Sequence, residues 1–181
     1  MIIDQSYITG QDNDYAATGQ GNLRRAANNN TIIGQSFTPT ISGVIPRIEL
    51  YLLKFGTPTG NIFLEIRADG ADPTTTTLYA TSSNVDVSTL PTSYDYVALD
   101  FTTFAVTIPG TKLWMLLKGT YTESSVNGAV WGEDVSSPTY AGGNWGRYGN
   151  GGAAWEESTT IDGLFKQYVN PAGGLLMTAE I

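Results

Sequence analysis

The stretch from Gly34 to Phe101 constrains the fold more than any other part of this chain. Polar and apolar residues alternate along Arg47-Ile48-Glu49-Leu50-Tyr51-Leu52, and again along Ile62-Phe63-Leu64-Glu65-Ile66-Arg67. Strand side chains point to opposite faces with a period of two, so each segment should have one buried face. Between them, Phe55-Gly56-Thr57-Pro58-Thr59-Gly60-Asn61 carries Gly and Pro at turn positions, which predicts a hairpin-type connection.

The same pattern places further core strands at 34–38, 45–55, 61–68, 77–85, 94–101 and 112–118, with shorter ones at 130–132, 153–155 and 162–169. Val97, Leu99 and Phe101 should face inward. Leu113-Trp114-Met115-Leu116-Leu117 is apolar on both faces, so this strand should be central or covered on both sides. Thr and β-branched residues suit half-buried pleated surfaces. No segment shows helical amphipathicity. Many short strands with regular turn signals indicate an all-β, antiparallel, jelly-roll-like β-sandwich. The organisation expected is an irregular N-terminal arm (1–33, with one short strand at Ile2-Ile3), a sandwich domain (34–169) and a C-terminal tail (170–181). From Gly119 to Ser158 strand periodicity is poor, and Gly, Asn and aromatics predominate. That region reads as long loops at one end of the sandwich, with room for one short hairpin.

Composition narrows the function. The chain has no Cys and no His. That removes disulfides, thiolate chemistry, the Ser-His-Asp triad and the commonest zinc ligand. A net charge of −8, with only nine basic residues, disfavours nucleic acid and anionic membranes as partners. Of the 181 residues, 14% are charged and 41% hydrophobic, so solubility rests on Thr, Ser, Asn and Gly. The N-terminal residues lack a basic segment followed by an apolar one, so no secretory signal is expected there. No apolar run is long enough to span a membrane as a helix. A surface-type composition without an export signal points to a particle released by lysis.

Several short patterns resemble jelly-roll modules of phage virion proteins and of secreted bacterial surface proteins. They are Gln35-Ser36-Phe37, Ser42-Gly43, Leu50-Tyr51-Leu52, Lys54, Pro58-Thr59-Gly60-Asn61-Ile62, Ala80-Thr81-Ser82-Ser83, Val85-Asp86 and Thr92-Ser93-Tyr94. Leu113-Trp114 and Leu164-Phe165-Lys166 match the later strands. The resemblance covers about 135 residues and speaks to fold more than to function, because one fold hosts many roles. It implies no catalytic residues.

Three residue groups invite a chemical reading. The aromatics Trp131, Tyr140, Trp145, Tyr148 and Trp155, with Arg147 beside them, can cap the core, anchor a neighbouring subunit or stack on sugar rings. Glu133-Asp134 and Glu156-Glu157 are carboxylate pairs of the kind a glycosidase uses without His. Neighbours on a strand point opposite ways, however, and solvated surface charge is the plainer reading. Asp69 and Asp72, in the loop Asp69-Gly70-Ala71-Asp72, are a weak Ca²⁺ candidate, because Ca²⁺ takes six to eight oxygen ligands. A plain turn is the simpler account. No cofactor is otherwise expected.

The expectation is therefore a non-enzymatic virion structural protein on a phage particle: a head decoration, fibre or tail component attached through its terminal segments. Arg24 and Arg25 would anchor the arm on a neighbouring virion subunit. A homotrimer and a host glycan are further partner readings. The alternative is a carbohydrate-binding or host-adhesion module using the loop aromatics.

Overall fold

The computed structural model describes residues 1–11, 22–23, 31–121, 124, 126–149 and 154–172. Their strands, in chain order, are β1 (Ile2–Tyr7), β2 (Asn22–Leu23), β3 (Ile32–Phe37), β4 (Gly43–Phe55), β5 (Asn61–Ala68), β6 (Leu78–Thr81), β7 (Val85–Asp86), β8 (Asp95–Thr107), β9 (Leu113–Gly119), β10 (Gly128–Trp131), β11 (Glu133–Asp134), β12 (Trp145–Gly149), β13 (Ala154–Ser158), β14 (Asp162–Gly163) and β15 (Phe165–Pro171). A 3-10 turn, Val87–Thr89, starts where the Asp86 carboxylate accepts the Ser88 N–H.

The protein is an antiparallel β-sandwich. In the front sheet β4 is central, with β8 along one edge and β15 then β10 along the other. β1 extends the β15 side, and β2 extends β10. The back sheet runs β13-β12-β3-β9-β5-β6, with β7 also on β5. Inward residues of both sheets form one core. Ile45, Ile48, Leu50, Leu52, Leu99 and Phe165 come from the front, and Ile33, Phe37, Ile62, Leu64, Ile66, Leu113, Met115 and Leu117 from the back. Removing such side chains from water contributes about 1.5–3 kcal/mol each. As the all-apolar run predicts, β9 is central, and Leu113 to Leu117 are all buried.

Three expectations need correction. The linker after β4 does not close a hairpin. It carries the chain across to the back sheet, because β4 pairs with β8, β10 and β15 while β5 pairs with β6, β7 and β9. Gly56 and Gly60 do take positive φ, of 65° and 121°, so the turn chemistry holds while the partner strand differs.

The expected irregular arm is partly sheet. Residues Ile2–Tyr7 pair with β15, satisfying backbone groups that would otherwise line its open edge. Leu23 is fully buried beside β10. Arg24 and Arg25 lie outside the described residues, as does 173–181 of the tail, whereas Asn170 and Pro171 belong to β15.

Strand β8 also runs further than the pattern predicts, to Thr107. Ile45 pairs with Ala105 and Arg47 with Asp100, so Pro46 alone faces Phe101 to Phe104. Proline has no N–H to give to the ladder, and the excess chain bulges there.

Candidate functional site

The aromatic set of the Gly-rich stretch mostly builds the end of the core. Trp131 and Trp145 have no exposed surface and meet edge to face at 5.2 Å. Both rings close on Gly163, where a Cβ would lie 2.9 Å from each. The Trp131 indole N–H donates to the Leu164 carbonyl at 2.8 Å, whereas the buried Trp145 N–H has no hydrogen-bond partner. Tyr140 packs on Tyr7 and Phe165, and its hydroxyl donates to Gln5. Burial drives the Tyr140 phenol well above its ordinary value. For Trp131 and Trp145 this corrects the expected contact role, since a ring sealed between two sheets offers no face to a partner.

Tyr148 and Trp155 are half-buried and stand opposite each other on the β12–β13 hairpin, beside the exposed ion pair of Arg147 with Glu156 at 2.9 Å. Trp155 lies across Gly34 and Gly146 and meets Trp114 edge-on at 5.1 Å. It therefore covers the outer side of the back sheet. Gly146 leaves room for the indole, because a Cβ there would collide with it.

The carboxylate pairs separate. Glu156 and Glu157 are exposed, as expected. Glu133 and Asp134 are buried, which corrects the solvated reading. The reason is the short β11–β14 ladder, which pairs Asp134 directly with Asp162 and draws both inside. Asp134 accepts the Tyr7 hydroxyl at 2.5 Å and the Ser137 N–H at 3.0 Å, and Gly10 lies against it. Asp162 accepts the Tyr140 N–H at 2.9 Å. Burial pushes the Asp162 carboxyl up to about 6, against the Tyr140 and Gln35 hydrogen bonds and with a smaller push from Asp134. This is an enclosed polar knot that ties β1, β11 and β14 together.

Asp69 and Asp72 are each engaged by the protein. Asp69 accepts the Trp114 indole N–H at 2.9 Å and pairs with Lys112 at 3.0 Å, while Asp72 caps Thr74. Among the described residues no group of three or more acidic side chains is arranged to hold a metal.

Among the described residues two further surfaces bear on function. The first is an apolar rim at the β8 bulge. Tyr79, Phe104, Val106, Ile108 and Leu113 line a groove of about 290 Å³, and Val106 and Ile108 are 63% and 60% exposed.

The second surface is the outer face of the front sheet. The alternation that sends Ile48, Leu50 and Leu52 inward sends Arg47, Glu49 and Tyr51 outward. Across the ladders Arg47 stands between Asp100 and Tyr168, Glu49 between Ala98 and Lys166, and Tyr51 beside Tyr96. Arg47 makes a two-pronged pair with Asp100, at 2.6 and 3.0 Å. Glu49 accepts the Tyr168 hydroxyl at 3.0 Å and Lys166 at 3.3 Å. Lys166 also lies 3.6 Å from the centre of the Tyr96 ring. Tyr51 stacks on Tyr94 at 5.3 Å and tilts against Tyr96 at 4.9 Å. Burial pushes the Tyr96 phenol up to about 12. Ala98, the smallest side chain in the group, sits among these larger ones. The outward half of the strand alternation was the available signal for this group in the sequence.

The sequence matches no model of a known protein family, and no curated protein is detectably similar to it.

Proposed function

We propose that this chain is a non-enzymatic structural protein of a virus particle, a jelly-roll-like sandwich displayed on the outside of a phage as a head decoration, fibre or tail component. The observation that carries the reading is the apolar rim at the β8 bulge. Large apolar side chains left in water around a groove are the usual mark of a surface that another protein covers. Val106 and Ile108 would seat against a neighbouring subunit. The polar composition and net charge of −8 keep the rest of the surface soluble. The carboxylates support a structural reading too, because Asp134 and Asp162 are enclosed in a knot and Glu156 is paired with Arg147.

Light scattering on the purified chain, alone and mixed with candidate particle subunits, tests this. The reading expects a defined oligomer or a complex that Val106→Asp with Ile108→Asp abolishes. A monomer that joins no particle subunit contradicts it.

The alternative, carbohydrate binding or host adhesion through the loop aromatics, loses two of its rings because Trp131 and Trp145 are sealed. What favours a sugar-binding role is the tyrosine face of the front sheet.

A further inference from the structure

We infer that the outer face of the front sheet, around Tyr51, Tyr96 and Tyr168, binds an uncharged glycan. The inference concerns this face alone and is independent of the apolar rim.

The first argument is charge. The face carries two cations and two anions, paired as Arg47 with Asp100 and Lys166 with Glu49, so its formal charges cancel. The whole chain carries −8. A polyanionic ligand would meet repulsion from the molecule and no unpaired cation within this group. A flat apolar protein surface would have to desolvate both ion pairs without replacing their hydrogen bonds to water. A neutral sugar does neither, because its hydroxyls donate and accept in the places water occupies.

The second argument is the arrangement of donors, acceptors and rings. Arg47 and Asp100 set a fork of N–H donors beside carboxylate oxygens, with side chains 34% and 55% exposed. Neighbouring hydroxyls on one sugar ring can accept from the first and donate to the second. Tyr51 is stacked on Tyr94 and Tyr96 carries Lys166, so the ring for the sugar is the half-buried Tyr168 beside Arg47. An aromatic face is large, stiff and only partly polar, which suits the C–H side of a sugar. Ala98, between Tyr96 and Asp100 on β8 and across from Glu49, contributes only a methyl group to the face. From β8 to β15 the group spans two strand spacings, about 10 Å.

The third argument is rigidity. Arg47, Glu49 and Tyr51 lie on the central strand of the front sheet, and the inward residues between them are fully buried. The face is held in place before any ligand arrives, which lowers the cost of binding.

The test is retention on an array of immobilised neutral oligosaccharides of glucose, mannose, galactose and N-acetylglucosamine, printed beside sialylated and sulfated ones. Wild type should be retained on neutral spots. Ala98→Arg crowds the place between Tyr96, Glu49 and Asp100, and should weaken retention by about tenfold or more. Tyr168→Ala, at an outward position, should do the same while the variant still unfolds in one cooperative transition. Val106→Asp with Ile108→Asp should leave retention intact, which separates this face from the rim. No neutral spot retained, retention on anionic spots alone, or full retention by Ala98→Arg would each overturn the inference.

Discussion

The Gly-rich stretch from Gly128 to Ser158 and the outer face of the front sheet both carry aromatics, and they use them in opposite ways. In the first, Trp131 and Trp145 are buried edge to face and close the end of the core. In the second, Tyr51, Tyr96 and Tyr168 stand half-buried on regular strands, among charged neighbours in register. Loop composition advertises a contact site, yet those rings hold the sandwich shut. The plain alternating strands supply the organised surface. A ring's role here follows from what approaches it: Gly163 lets backbone close over the tryptophans, whereas Tyr168 stands outward on β15 with its hydroxyl tied to Glu49.

The sharpest way to break this contrast is to remove one ring from each set. Trp145→Ala should cost about 3–5 kcal/mol in urea unfolding, the range for a large side chain deleted from a sealed site. A loss below 1 kcal/mol would mean that the ring is not core. Gly146→Ala should come next, at about 1–3 kcal/mol, because the new methyl displaces Trp155 from the outer side of the back sheet. Tryptophan fluorescence would report that displacement, and an unshifted spectrum would argue against the contact.

The polar knot under the tryptophan end gives a pH signature in the acid range. Asp162 has a folded value of about 6 against an ordinary 3.8. The folded state therefore holds this proton more tightly than the unfolded chain does. Its contribution is fully present below about pH 4 and is lost as the pH rises through about 6. Asp162→Asn keeps a side-chain oxygen for the Tyr140 N–H and removes the charge. The difference in stability between the variant and wild type should grow in the variant's favour from pH 4 to pH 6, read from unfolding midpoints across that window. A constant difference would show that Asp162 does not titrate there.

Smaller effects are expected at the surface. Tyr168→Ala should cost about 1 kcal/mol or less, since its ring is outward and only its hydroxyl is tied, to Glu49. Arg147→Ala should cost under about 1 kcal/mol, as exposed ion pairs such as Arg147–Glu156 usually do. A larger loss at either position would move it from the contact class into the core class.

Much of the sandwich was legible in the sequence, for one physical reason. Period-two patterning records which face of a strand is buried, so the bounds 61–68 came out as Asn61–Ala68, and the all-apolar run at 113–117 marked a central strand. What stayed hidden depends on pairing between residues far apart in the chain. Turn residues after β4 fixed a turn but not which sheet the next strand would join. Burial of Glu133 and Asp134 follows from their pairing with 162–163, about thirty residues on. The outward half of β4 and β8 was readable from the same alternation. That Tyr168 and Lys166 complete the face depends on the register of β15 against β4, which no local pattern encodes.

Hydroxyl-radical footprinting of the native protein, read residue by residue by mass spectrometry, tests the central contrast most directly. Indole is the more reactive ring, so chemistry alone would label tryptophan first. The account predicts that Trp131 and Trp145 stay unmodified while Tyr168 is oxidised and Trp155 takes partial label. Label on Trp131 or Trp145 matching that on Trp155, with Tyr168 protected, would contradict it.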